Sequence, residues 1–172
     1  YLVTLTVKDG AGTSITAAMS TYVVIYDPDG GFVTGGGSFT SPVGAYTPNP
    51  SLAGKATFGF VSRYQKGATV PSGNTEFTFK AAGLDFHSTS YQWLVIAGAR
   101  AQSKGTGSLN GTDGYSFILT AIDGQVTGGG GTDKLRMKIL DSSGGVIYDN
   151  QSGASDNSDP TTAIQGSIVI HN

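Results

Sequence analysis

Apolar residues in this chain come in short runs that are separated by residues typical of turns. The runs are rich in Val, Ile, Thr, Tyr and Phe, and Gly, Asn, Asp, Ser or Pro interrupts them roughly every ten residues. Glu, a frequent residue in helices, occurs only at Glu76, whereas Gly occurs 27 times in 172 residues. The pattern predicts an all-β protein, an antiparallel β-sandwich with jelly-roll or immunoglobulin-like layering.

The turn signals divide the chain into predicted strands. They cover residues 1–8, 21–26, 32–40, 56–64, 75–80, 84–87, 91–97, 105–109, 115–122, 134–140, 146–149 and 164–171. Alternation along these strands predicts a core that includes Phe58, Phe60, Phe77, Phe79, Trp93, Val95, Phe117, Leu119, Ile139 and Ile168. We divide the chain into residues 1–12, an extra N-terminal strand; residues 13–26, a linker and connecting strand; and residues 27–172, the sandwich.

The N-terminal strand alternates strongly and has no predicted partner beside it in the sequence. Its apolar face carries Tyr1, Val3, Leu5 and Val7, and a strand of this kind needs a neighbour for its backbone N–H and C=O groups. The strand can fold back onto its own domain or pair with a neighbouring copy of the chain, and the sequence leaves both open. We expect pairing between copies, which would add a strand to a neighbouring sheet and extend into filaments.

Two parts of the chain resemble modules of secreted bacterial proteins. Residues 1–9 are similar to the closing strand of a PKD domain, an immunoglobulin-like module in which Tyr, Val, Leu and Val alternate before an Asp. The stretches 27–37, 54–62, 86–95 and 146–151 resemble the post-COAP type of module, which follows such repeats near the C-terminus of large surface proteins. The resemblance implies an extracellular or cell-surface setting in bacteria and brings no catalytic motif with it.

Charge and hydropathy exclude several classes of partner. Only 13% of the residues are charged, the formal net charge is −2, and the cationic residues are scattered, so no surface for nucleic acid is expected. No apolar run approaches the roughly 20 residues that cross a bilayer, so no membrane span is expected. The chain has no Cys, which excludes disulfides.

The titratable residues do not predict an enzyme. His87 and His171 are the only histidines, and the one local set that resembles a catalytic triad is Asp85, His87 and Ser88. Adjacent residues of a strand point to opposite faces, so Ser88 should lie away from His87. We therefore expect no catalytic residues.

Calcium is the ion that the loops favour. Asp27 with Asp29, and Asp156 with Asp159, place carboxylates close together in predicted loops, and carboxylate oxygens are ligands that Ca²⁺ prefers. The alternative is that these are solvated turn residues, because Asp favours turns for backbone reasons.

Carbohydrate binding is the alternative function. Stacking on a sugar needs exposed aromatic rings, and the candidates are Tyr46, Tyr64 and Tyr91. The preferred hypothesis is a non-catalytic extracellular module with a structural or adhesive role, which assembles by N-terminal strand addition.

Overall fold

The computed structural model describes residues 4–18 and 31–171, and within them the protein is all-β with antiparallel pairing throughout. One short 3₁₀ turn, Lys80–Ala82, lies between two strands. The strands are β1 (Thr4–Lys8), β2 (Ser14–Ala18), β3 (Phe32–Ser41), β4 (Gly54–Arg63), β5 (Ser72–Phe79), β6 (Leu84–Ala97), β7 (Arg100–Leu109), β8 (Thr112–Ile122), β9 (Lys134–Leu140), β10 (Val146–Asp149) and β11 (Gln165–His171). The predicted strand 21–26 lies outside the described residues.

Nine of these strands form one sheet, in the order β10-β9-β8-β7-β6-β5-β4-β3-β11. Every strand from β3 to β9 therefore pairs with its successor, and only β11 returns from far along the chain to pair with β3. The connections are not the Greek keys of jelly-roll and immunoglobulin folds, whereas the predicted antiparallel β-sandwich is confirmed. The sheet is a meander with one returning strand.

The sheet folds over on itself as a β-sandwich, and the aromatic core joins its two layers. The ring of Tyr148 on β10 lies 4.7 Å from that of Phe77 and 5.8 Å from that of Phe79, centroid to centroid, both on β5. All predicted core residues are buried except Trp93 and Val95. Burial of these side chains, each contributing about 1.5–3 kcal/mol, holds the two layers together.

Trp93 and Val95 are half-buried because a β-bulge interrupts β6. Between Tyr91 and Trp93 the pairing advances two residues on β6 for one on β7. The extra residue shifts the alternation, so Tyr91 and Leu94 face the core instead of Trp93 and Val95. The prediction of core positions for Trp93 and Val95 was wrong for this reason.

Glycines within the strands make room for the core rings. A β-carbon at Gly35 would collide with the ring of Phe60, which lies directly opposite it on β4, and would lie 3.1 Å from Ile168. A β-carbon at Gly105 would similarly lie 2.7 Å from the ring of Phe117 on β8. Aromatic rings placed over glycine in a neighbouring strand fill the space that the missing side chain leaves.

Two buried carboxylates cover the outer edge of β11. Asp133 Oδ2 accepts the N–H of Ile168 at 2.7 Å, and Asp123 Oδ2 accepts the N–H of Ile170 at 2.9 Å. Both amides are accepted by side chains and not by β3. The loop between β8 and β9 thus provides acceptors where no strand is paired, and it covers this part of the edge.

The opposite edge of the sheet is closed by backbone and by a side chain. The N–H of Asp149 bonds to the carbonyl of Ala45, and the N–H of Thr47 bonds to the carbonyl of Ile147. Where β10 ends, the Asn150 amide accepts the N–H of Met137 at 2.8 Å and donates to the carbonyl of Leu135 at 3.0 Å. The Asn150 side chain therefore continues the ladder along β9 beyond the end of β10.

The N-terminal strand has a partner within its own chain. β1 pairs with β2 in a two-stranded sheet, from Thr4 opposite Ala18 to Lys8 opposite Ser14. Residues 13–18, predicted as linker, thus include a strand. The prediction of an unpaired N-terminal strand was wrong for residues 4–8, because the small residues after the turn at Asp9 adopt extended backbone.

The Gly35 contact gives a test of the core. We expect Gly35→Ala to lower the free energy of unfolding by about 2 kcal/mol, because its methyl group has to displace a packed ring. Gly36→Ala is the matched control: a methyl group there meets nothing closer than the Phe58 carbonyl oxygen at 3.9 Å, so its effect should stay below about 0.5 kcal/mol. Urea unfolding measures both, and equal losses would contradict the proposed packing.

Candidate functional site

The two-stranded sheet presents one apolar face to solvent. Cross-strand pairing places Leu5 beside Ala17 and Val7 beside Ile15, so these four residues share a face, which we call the hairpin face. The side chains of Leu5, Val7 and Ile15 are 65%, 60% and 73% exposed. They are among the few large apolar residues exposed in the described structure, and here they are contiguous.

The other face of the hairpin is polar and fixes its register. The hydroxyls of Thr6 and Thr16 lie 2.9 Å apart across the strands. In the turn, Asp9 Oδ1 accepts the N–H groups of Ala11 at 3.0 Å and Thr13 at 2.8 Å. Turn and cross-strand bonds together define which residues meet on the hairpin face.

The structure describes half of the predicted association residues. Leu5 and Val7 lie on the hairpin face, whereas Tyr1 and Val3 lie outside the described residues. Pairing of β1 with β2 occupies one edge of β1, so residues 4–8 belong to a hairpin and are not a lone strand.

The predicted calcium ligands that the structure describes each face a cation. Asp156 Oδ1 accepts a 2.6 Å bond from Lys138 Nζ, and Asp159 Oδ1 lies 3.1 Å from Arg100 Nε. Within residues 4–18 and 31–171, no three His, Asp or Glu side chains are grouped as a metal site would require. Asp27 and Asp29 lie outside the described residues, and calcium binding stays a prediction.

The three tyrosines predicted to bind glycans differ in exposure. Tyr46 and Tyr64 are half-buried and pack against the core. Tyr91 is only 6% exposed, and its hydroxyl lies 2.6 Å from Thr75 Oγ1. The structure thus places Tyr91 in the core, on the inner side of the bulge in β6, where its ring is not accessible to a sugar.

His87 and its acidic neighbours lie on the surface. His87 Nε2 is 3.2 Å from Asp85 Oδ2, and His87 Nδ1 is 3.9 Å from Glu76 Oε1. All three side chains are about half exposed or more. Ser88 Oγ accepts the N–H of Thr75 at 2.8 Å, so it is used by the backbone of β5.

A loop between β10 and β11 lies across the outer face of the sheet, and we call residues 150–164 the strap. Arg136 on β9 is 2% exposed beneath it and pairs with Asp149 through two bonds of 2.8 and 2.9 Å. Two further N–H groups donate to the carbonyls of Ala154 and Ser155. Hydrogen bonding to Asp149 raises the pKa of Arg136, so the buried guanidinium stays charged.

A polar groove opens where β8 begins and β9 ends, near the turns that follow β7 and β9. It has a volume of about 500 Å³ and runs from Thr89 and Thr106 past Tyr115 to Asp113 and Ser142. The start of β8 approaches the turn after β9 at the end of the groove: a methyl group at Gly114 would lie 4.0 Å from Cβ of Ser142. The groove is lined by hydroxyl and carboxylate groups, and Tyr115 also packs against the core.

Sequence reasoning missed the groove and the buried charges. Asp113, Asp123 and Asp141 each stand near a glycine in a turn, which made them look like ordinary turn residues. Arg136 occupies an outward position in β9, and nothing local indicates that the strap covers it. The usable signal was the alternation of Leu135, Met137 and Ile139, which places Arg136 on the other face.

Comparison with protein-family models, curated proteins and solved structures gives no match for this chain. The similarity to PKD and post-COAP modules therefore stays a prediction. No helix in the described part of the chain is long and apolar enough to cross a membrane.

The buried pair under the strap can be tested directly. Asp149→Ala should lower the free energy of unfolding by about 3 kcal/mol, because it leaves the Arg136 guanidinium buried without its counter-charge. Lys138→Met removes the more exposed pair with Asp156 and should cost at most about 1 kcal/mol. Chemical unfolding of both variants checks this, and a small loss for Asp149→Ala would show that the strap does not depend on the pair.

The burial of two core tyrosines predicts that the fold loses stability at alkaline pH. Burial raises the pKa of Tyr91 and that of Tyr148 above the ordinary value of about 10. Their contribution to stability is therefore complete below about pH 10 and is lost as the pH rises further, since only the unfolded chain ionises them readily. The thermal midpoint should fall above about pH 10, and it should fall less in a Tyr91→Phe, Tyr148→Phe double variant. Parallel curves for the two proteins would refute this.

Proposed function

We propose that this chain is a non-catalytic structural or adhesive module that associates through the hairpin face. The observation that supports this is the contiguous exposure of Leu5, Val7 and Ile15 on one side of β1 and β2. A two-stranded sheet alone is marginally stable in water, and a third layer or strand normally covers its apolar side. Exposed apolar patches of this kind mark protein interaction sites.

Both edges of the large sheet already have hydrogen-bond partners in the described structure, so we place the contact on the hairpin. The outer edge of β11 is covered by Asp123 and Asp133, and β10 pairs with the segment 45–47. Among the described residues, β1 and β2 pair only with each other. Strand insertion into the sandwich would have to displace bonds already made, whereas the large apolar side chains of the hairpin face are exposed.

We infer that the partner is the hairpin face of a second copy. Two such faces, packed as sheets pack at about 10 Å, bury the same three side chains from each side in a two-fold contact. Each buried side chain contributes about 1.5–3 kcal/mol, and association itself costs about 4–15 kcal/mol, so both faces are needed. A two-fold contact closes on itself, which favours dimers over the filaments expected from strand addition.

The setting we propose is the exterior of a bacterial cell. It follows from the similarity of residues 1–9 to a PKD strand and of later stretches to post-COAP modules, and a chain without Cys is compatible with it. In this setting the sandwich would be a rigid support and the hairpin face its contact surface.

Sedimentation velocity of the full chain tests the proposal. We expect a dimer at tens of micromolar and a monomer for Leu5→Asp, because a carboxylate would be buried unpaired in the contact. Thr4→Asp is the matched control: it adds the same charge on the opposite face of the same strand, away from the Thr6–Thr16 contact, and should leave the dimer intact. A wild-type monomer at the highest attainable concentration, or equal loss in both variants, would overturn self-association; far-UV circular dichroism verifies that each variant is folded.

A further inference from the structure

A β-bulge turns the only tryptophan of the chain away from the core. Trp93 follows the bulge of β6, and Tyr91 and Leu94 take the inward positions around it. The side chain of Trp93 is half-buried and does not belong to the core cluster. β-Bulges are frequent next to functional sites, where they redirect a side chain. Here the bulge places a large aromatic residue on the outer face of the sheet.

Trp93 begins a row of side chains that crosses four strands, and we call this row the outer row. Trp93 lies opposite Lys104 on β7, and Lys104 in turn lies opposite Ile118 on β8. Ile118 lies opposite Lys138 on β9, which completes the row. The neighbours of these residues along β8 and β9 are buried in the core, so the row lies on the outer face. Strands lie about 4.8 Å apart, so the row is roughly 14 Å long and has room for an oligomeric ligand.

The same face holds half of the cations of the chain. Five of the ten Lys and Arg residues occupy outward positions of β7 and β9, namely Arg100, Lys104, Lys134, Arg136 and Lys138. Three of the five pair with carboxylates of β10 or of the strap. Within residues 4–18 and 31–171, Lys104 takes part in no salt bridge. The cation beside Trp93 thus has capacity for an anion from outside the chain.

The strap shows which chemistry the outer face accepts. Asp156 Oδ1 accepts a 2.6 Å bond from Nζ of Lys138, the last residue of the outer row, and Asp159 Oδ1 lies 3.1 Å from Arg100 Nε. Carboxylates carried by an extended segment therefore already lie along this face. A carboxylate at Lys104 would repeat the same pairing nearer to Trp93.

From these groups we propose that the outer row binds an oligosaccharide of uronic acids. Such a sugar carries a carboxylate on the same ring whose C–H face stacks on an aromatic side chain. Trp93 and Lys104 are one strand spacing apart, about 5 Å, so a single sugar residue can contact both. An amino sugar would bring an ammonium group to a face with an excess of cations and is disfavoured. The site is separate from the hairpin face and does not depend on self-association.

The fluorescence of Trp93 tests the site, because no other tryptophan contributes to the signal. We expect a galacturonic acid hexamer, at low salt and about pH 7, to change the emission in a saturable way. The methyl-esterified hexamer, which is neutral, should bind about fivefold more weakly, since an exposed ion pair contributes up to about that factor. A glutamate hexamer has the charge but no sugar ring, and it should also bind about fivefold more weakly.

Two variants locate the binding. Lys104→Gln should weaken binding of the galacturonic acid hexamer about fivefold. Lys55→Gln, the matched control, makes the same change at an exposed position of β4 and should have no effect. Trp93→Leu removes the ring and should weaken binding about tenfold, measured by calorimetry because the fluorophore is lost. Far-UV circular dichroism verifies that each variant is folded.

The outcomes separate this site from the hairpin contact. Leu5→Asp should bind the galacturonic acid hexamer as the wild type does, whatever its oligomeric state. No change in emission at millimolar hexamer, or unchanged affinity in both Lys104→Gln and Trp93→Leu, would overturn the site. Equal affinity for the esterified hexamer or for the glutamate hexamer would overturn the uronic-acid assignment.

Discussion

The sandwich depends on two carboxylates that accept hydrogen bonds from β11 where it has no neighbouring strand. Asp123 and Asp133 are 4% and 8% exposed, and they accept the outward amides of β11. They also accept the N–H groups of Gln125 and Gly124 within their own loop. A buried carboxylate is costly without donors, and a buried strand edge is costly without acceptors, so each satisfies the other. This exchange satisfies polar groups that the sandwich buries where β11 has no neighbouring strand.

Buried polar groups also satisfy each other on the outer face of the sheet, beneath the strap. Arg136 would be an unfavourable residue to bury on β9, but the strap and Asp149 surround it with acceptors. In return, Arg136 fixes a long connection that contains little regular structure of its own. The strap has to travel from β10 to β11, and the buried guanidinium determines its path. Buried polar groups thus determine the path of the strap, a segment for which the alternation of apolar residues predicts no structure.

The fold class and most of the core were predictable because alternation and turn residues act locally. Phe58, Phe77 and Phe117 are buried as their positions in strands require. Trp93 was misplaced because a single extra residue in β6 reverses the alternation, and no sequence pattern marks that residue. The acceptors at Asp123 and Asp133 could not be predicted, since their partners on β11 lie far along the chain. The hairpin was missed because Ser14–Ala18 is short and consists of small residues apart from Ile15 and Thr16, and its pairing comes from the turn at Asp9.

The pairing of β3 with β11 joins almost the two ends of the described sandwich, from Phe32 opposite His171 to Ser38 opposite Gln165. All the other neighbours in the large sheet are consecutive in sequence and can form early, because short loops close at little entropic cost. We expect β11 to dock last during folding. Until it does, the edge of β3 and the apolar floor under Ile168 stay open. The time that the chain spends in this nearly complete state, rather than the stability of the finished sandwich, would then set its tendency to exchange strands or aggregate while folding.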